Sequence, residues 1–98
     1  MTWNHQRARW AYYDLLVWKE RELWRYTLNW HTDTAITTVG VGSARYEDVC
    51  GAREAAILHL ANILPKPQSN RLLADQDNLV WEPWYEVRKP RSQRLRKR

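Results

Sequence analysis

ELWRYTLNWH, residues 22–31, alternates in character: Trp24, Tyr26, Leu28 and Trp30 are large and apolar or aromatic, while Arg25, Thr27, Asn29 and His31 between them are polar. A two-residue period is that of a strand with one buried and one wet face. A helix, at about 3.6 residues per turn, would scatter the same side chains around its circumference. The stretch is therefore predicted as a central strand. Its even face is assigned to the core and its odd face, with Arg25, Asn29 and His31, to the outside.

Working outward towards the N-terminus, RARWAYYDLLVW (residues 7–18) places Ala8, Trp10, Tyr12, Leu16 and Trp18 at alternate positions, with Asp14 breaking the pattern. Its aromatic content predicts a single strand. The same residues set Ala8, Ala11, Leu15 and Trp18 on one helical stripe, so a continuous helix from Arg7 onward is the competing reading. With a strand there, KERE at 19–22 becomes a four-residue hairpin loop. On the other side, HTDT at 31–34 reads as a turn, since Asp33 can bond its own backbone. AITTVGV at 35–41 reads as a third, β-branched strand. Gly40 and Gly42 mark a bulge or a close backbone approach near its end.

A helix follows, with Val49, Ala52, Ala56, Leu60 and Ile63 on one stripe widened by Ile57 and Leu64. Ser43 and Asp48 are its candidate caps, and Pro65 and Pro67 end it. Residues 65–78 are expected to form a connector with at most a short turn around Leu72 and Leu73. Residues 79–87 alternate again, and Pro83 restricts them to an edge. The expected fold class is α+β: a three-stranded antiparallel meander with one helix packed on its aromatic face, a C-terminal edge strand and a basic tail. Residues 1–87 form the single domain and 88–98 a flexible tail.

Charge is distributed unevenly. Of sixteen Lys and Arg, seven fall within residues 88–98 with no acid among them, leaving nine against eleven acids, a balance of −2, in residues 1–87. A mildly acidic body with a basic tail points to different partners from a uniformly basic protein. The chain has no Phe but seven Trp and five Tyr, more aromatic surface than one helix can cover. The lone Cys50 cannot form an internal disulfide, and the N-terminal residues lack the layout of a signal peptide. A reducing, cytoplasmic location without membrane contact is the expectation.

No catalytic constellation emerges. Cys50 and His59, nine residues apart on the predicted helix, fall on opposite faces. His5, His31 and His59 are dispersed, and neither Cys-x-x-Cys nor His-Glu-x-x-His occurs. Cys50 reads as a small buried residue beside the sheet. His31 with Asp33 would make a general base with its orienting carboxylate, but a solvated sheet face followed by a turn is the plainer reading. GVGS at 40–43 lacks the third glycine and the lysine of a phosphate loop. No catalytic residue, cofactor or metal is assigned, and the chain is not expected to be an enzyme.

Residues 52–60, AREAAILHL, with Arg53, Ala55 and Ala56, resemble the last helix of the double-stranded-RNA-binding domain. Glu47 and Asp48 stand where that family carries lysines, and its opening helix has no counterpart, so no family is assigned. Two features carry the functional expectation. Arg88, Lys89, Arg91, Arg94, Arg96, Lys97 and Arg98 could neutralise several phosphates. Trp3, Trp81, Trp84 and Tyr85 are candidate anchors for a protein partner. Together they suggest a small non-catalytic binding protein, of accessory or inhibitor type like those of phages, docking on a protein or ribonucleoprotein while its tail touches nucleic acid or an acidic surface. The alternative is a direct nucleic-acid-binding protein using Arg25, Asn29 and His31 with the tail. An uncovered sheet edge also allows a homodimer.

Overall fold

The computed structural model describes residues 3–84. Its sheet has five antiparallel strands in the order β4-β3-β2-β1-β5, with two helices packed against it. The central strand forms where the alternation places it, as β3 (Leu23–His31), and Trp24, Tyr26 and Leu28 are buried. Trp30 departs from the expected core: it is 42% exposed, near the end of the strand.

Residues 7–18 are neither one strand nor a helix but most of a hairpin, β1 (His5–Trp10) and β2 (Tyr13–Glu20), with Trp10 opposite Tyr13. The chain reverses at Ala11 and Tyr12, with Ala11 at a φ of 54°. This reversal changes the parity of the alternation. Leu15 and Val17 join Ala8 on the core side, so Leu16 and Trp18 fall on the opposite face. The four-residue KERE loop is corrected as well: Lys19 and Glu20 complete β2, and only Arg21 and Glu22 turn, at φ values of 54° and 72°. A left-handed residue other than glycine costs about 1–2 kcal/mol. Two in succession nevertheless give the twist that a tight hairpin needs.

β4 (Ile36–Val41) adds to β3, with a register shift between Leu28 and Asn29 that leaves Val39 as the extra residue of a bulge. The bulge and the close approach read from Gly40 and Gly42 are both present. α1 (Val49–Ile63) then lays Ala52, Ala56, Ile57, Leu60 and Ala61 across Leu15, Val17, Trp24, Tyr26 and Leu28. Ile63 lies off the buried stripe, 45% exposed, and Cys50 is exposed rather than buried beside the sheet. Of the two candidate caps it is Asp48 that acts, accepting from the Gly51 N–H at 2.8 Å. Asp48→Ala is expected to destabilise the protein by about 1 kcal/mol in equilibrium denaturation, and a change within error would remove the cap from the account.

The connector expected at 65–78 is instead a second helix, α2 (Lys66–Asp75), continued by a 3₁₀ turn at Gln76–Asn78. Pro67 lies in its first turn, where the missing N–H has no intrahelical partner to lose. Leu72 is the buried residue of α2, and Asp75 accepts from Trp10 Nε1 at 3.0 Å. The C-terminal edge strand shortens among the described residues to β5 (Glu82–Pro83), antiparallel to β1, with Pro83 on the edge as its chemistry requires. Residues 85–87 of the expected strand, and the tail, lie outside the described residues.

Candidate recognition surface

Both helices occupy one side of the sheet, so the odd face of β3 and the even face of β2 look outward on the other. The registers Trp18↔Arg25, Leu16↔Thr27 and Asp14↔Asn29 set these residues side by side on that face, with His5, Arg7 and Arg9 of β1 beyond them. Its arginines are matched by carboxylates. Arg9 Nε lies 2.7 Å from Asp14 Oδ1, Arg25 Nη1 3.0 Å from Glu20 Oε1, and Arg7 Nη2 3.4 Å from Glu82 Oε2. Hydrogen bonding and charge from Asp14 raise the pKa of Arg9, and the hydrogen bond from Arg25 lowers that of the Glu20 carboxyl. His31 Nε2 is 3.6 Å from Asp14 Oδ2, so the carboxylate beside this imidazole is Asp14 and not Asp33.

Amid these pairs lies a cleft of about 330 Å³ lined by His5, Leu16, Trp18, Thr27, Asn29, Thr38 and Trp84. Leu16 is only 5% exposed even on this helix-free face. The Trp84 backbone donates to the His5 carbonyl at 3.0 Å, and the two rings meet at 5.8 Å with a 50° tilt. Trp18 carries the Arg25 guanidinium 5.9 Å from its ring centroid. Thr38 Oγ1 donates to Asn29 Oδ1 at 3.1 Å, which leaves the Asn29 amide hydrogens for another acceptor.

The residues singled out in the sequence are thus distributed unequally. Asn29 and Trp84 converge on the cleft; Arg25 and His31 share its face but are engaged with Glu20 and Asp14. Trp81 is taken up internally, its ring 4.9 Å from the Arg53 guanidinium and packed against the core. Trp3 is 45% exposed, with its carbonyl held by Gln6 Nε2 at 2.9 Å. Tyr85, Arg88, Lys89, Arg91, Arg94, Arg96, Lys97 and Arg98 lie outside the described residues. The rest of the polar and aromatic lining comes from His5, Thr27, Thr38 and Trp18, the last of which the single-strand reading of 7–18 puts on the same face as Ala8.

A second exposed region follows the β4 edge. Ile36, Val39 and Val41 are 60%, 36% and 55% exposed, and β4 carries no charge. Tyr12, 71% exposed, and Trp30 lie at the same end of the sheet as Ile36 and line two hollows of about 450 and 260 Å³, the larger shared with Gln68 and Arg71 of α2.

On the helix side, His59 Nδ1 and the Tyr26 hydroxyl are hydrogen-bonded at 2.8 Å, and burial raises the Tyr26 phenol above its usual pKa. Among the described residues, no three His, Cys, Asp or Glu side chains gather as metal ligands, and no helix is long and apolar enough to cross a membrane. Comparison with protein-family models, with curated proteins and with solved structures finds no match to this chain.

Proposed function

We propose that this chain is a small non-catalytic binding protein that docks on a protein or ribonucleoprotein complex, while residues 88–98 contact nucleic acid or an acidic surface. The observation that carries the docking is the β4 edge. Soluble proteins usually guard an edge strand with charge, proline or a bulge. Here a bulge at Val39 is present, but the strand itself is β-branched, uncharged and exposed. The bulge bends the ladder and opposes continued strand pairing, so a partner is expected to pack on Ile36, Val39 and Val41. Tyr12 and Trp30, exposed at the same end of the sheet as Ile36, add aromatic surface of the kind enriched at binding hot spots. A reducing compartment goes with this reading, because Cys50 has no second cysteine to pair with.

Photocrosslinking from position 36 would identify the partner. The chain lacking residues 88–98 is expected to keep that partner at high salt, and Val39→Lys to lose it. Partner binding that ignores Val39→Lys and collapses with the tail would overturn the docking surface. The second reading, direct contact of the sheet face with nucleic acid, is favoured by one observation: Asn29 lines an open cleft together with Trp18, Trp84 and His5.

A further inference from the structure

We propose that the outer-face cleft receives one unstacked nucleobase of a single-stranded nucleic acid whose phosphates are neutralised by residues 88–98. The inference rests on the nucleic-acid contact proposed for those residues. It adds a site for the base.

Three properties of the cleft select this occupant. The first is its walls: Trp18, Trp84 and His5 offer rings around Leu16, and the volume is about 330 Å³. Rings of this kind bind bases through stacking, which tolerates any sequence because every base has a π-face. The second is its polar content. With Oδ1 held by Thr38, the Asn29 amide can donate to a base carbonyl, a directional contact that an aliphatic ligand could not return. The third is charge. Arg7, Arg9 and Arg25 each face a carboxylate, so this face is suited to a neutral ring and not to a phosphate.

The cations for the phosphates come next in the chain. Seven Lys and Arg occupy residues 88–98, beginning four residues after Trp84. Four residues reach at most about 14 Å when extended. The first of these cations, Arg88, is therefore within reach of a phosphate beside a base in the cleft. A duplex keeps its bases stacked and their faces covered, so a single strand, loop or frayed end is the form that fits.

The test compares a short labelled oligothymidylate with an abasic strand of the same length and charge, by fluorescence anisotropy over a range of salt. The full chain is expected to favour the base-bearing strand by roughly 5- to 100-fold. Trp84→Ala, at the edge of the sheet, and His5→Ala, at the end of β1, should each remove most of that preference while leaving the salt slope unchanged. Deleting 88–98 should flatten the slope for both strands. Equal affinity for the two strands with a steep salt slope overturns the cleft and leaves the tail contact standing. A base preference that survives both substitutions overturns the cleft as its source. Binding of neither strand overturns the cleft and the nucleic-acid contact of the tail together.

Discussion

Leu72→Ala is expected to destabilise the protein by roughly 2–5 kcal/mol, although Leu72 sits in PKPQSNRLLADQDN, a stretch with the composition of a loop. Leu72 has no exposed surface, is the buried residue of α2 and belongs to the same core cluster as Leu60 and Leu64. Truncation removes the transfer free energy of the lost atoms and leaves a cavity that a short helix collapses only in part. A residue in an exposed connector would change stability by no more than about 0.5 kcal/mol. For a domain of this size the larger figure lowers the melting temperature by about 10 °C or more. Urea denaturation of the two chains checks it, and a difference below about 1 kcal/mol would mean that α2 does not pack as described.

Gly42→Ala is the second substitution with a large expected effect. A Cβ at Gly42 would stand 2.3 Å from Tyr26 Cε2 and 2.6 Å from Cζ, closer than any real contact. The φ there is not positive, so the obstacle is steric and not conformational. Tyr26 cannot readily swing away: it is 7% exposed, its hydroxyl is bonded to His59, and Tyr46 lies beside it at 6.4 Å. Overpacking of this kind costs about 1–3 kcal/mol, and the pinned ring puts Gly42→Ala at the upper end. Gly51→Ala is the internal control. A Cβ at Gly51 meets nothing nearer than Asp48 Oδ1 at 3.4 Å, an ordinary contact. Relief of glycine's helix penalty makes that change neutral or stabilising by up to about 1 kcal/mol. Equal thermal shifts for the two variants would refute the close approach.

β3 was legible because burial on one face writes itself directly into the alternation of Trp24, Tyr26 and Leu28. α1 was legible for the same reason at the helical period, and Asp48 carried its cap in plain chemistry. The first hairpin was hidden because its turn residues are Ala11 and Tyr12, neither of which signals a reversal. Arg21 and Glu22 are likewise poor advertisements for a turn that holds both at positive φ. Tertiary pairing imposes these conformations against local preference, and a two-residue turn then reverses which parity faces the core. That single step puts Leu16 and Trp18 on the face opposite Ala8, against their alternation with it in the sequence.

α2 is hidden because Pro67 looks like a stop, whereas its position in the first turn makes it part of a start. For the candidate site, Asn29 and Trp84 could be named from alternation and aromatic excess. Their meeting with His5 and Trp18 depends on β5 returning to β1, a non-local pairing with no signature in either segment.

Gln6 has a further role in this arrangement. It is 1% exposed on the core side of β1, and its Oε1 accepts from both Arg53 Nε and Arg53 Nη2. The same guanidinium covers Trp81, the residue before β5, while Gln6 itself pairs with Pro83. A two-residue strand has little ladder of its own to hold it. Its placement, and with it that of Trp84, leans on a clasp made by a helix on the far side of the sheet. Arg53 thus works as a rivet through the layers: α1 sets the wall of a cleft that it never touches.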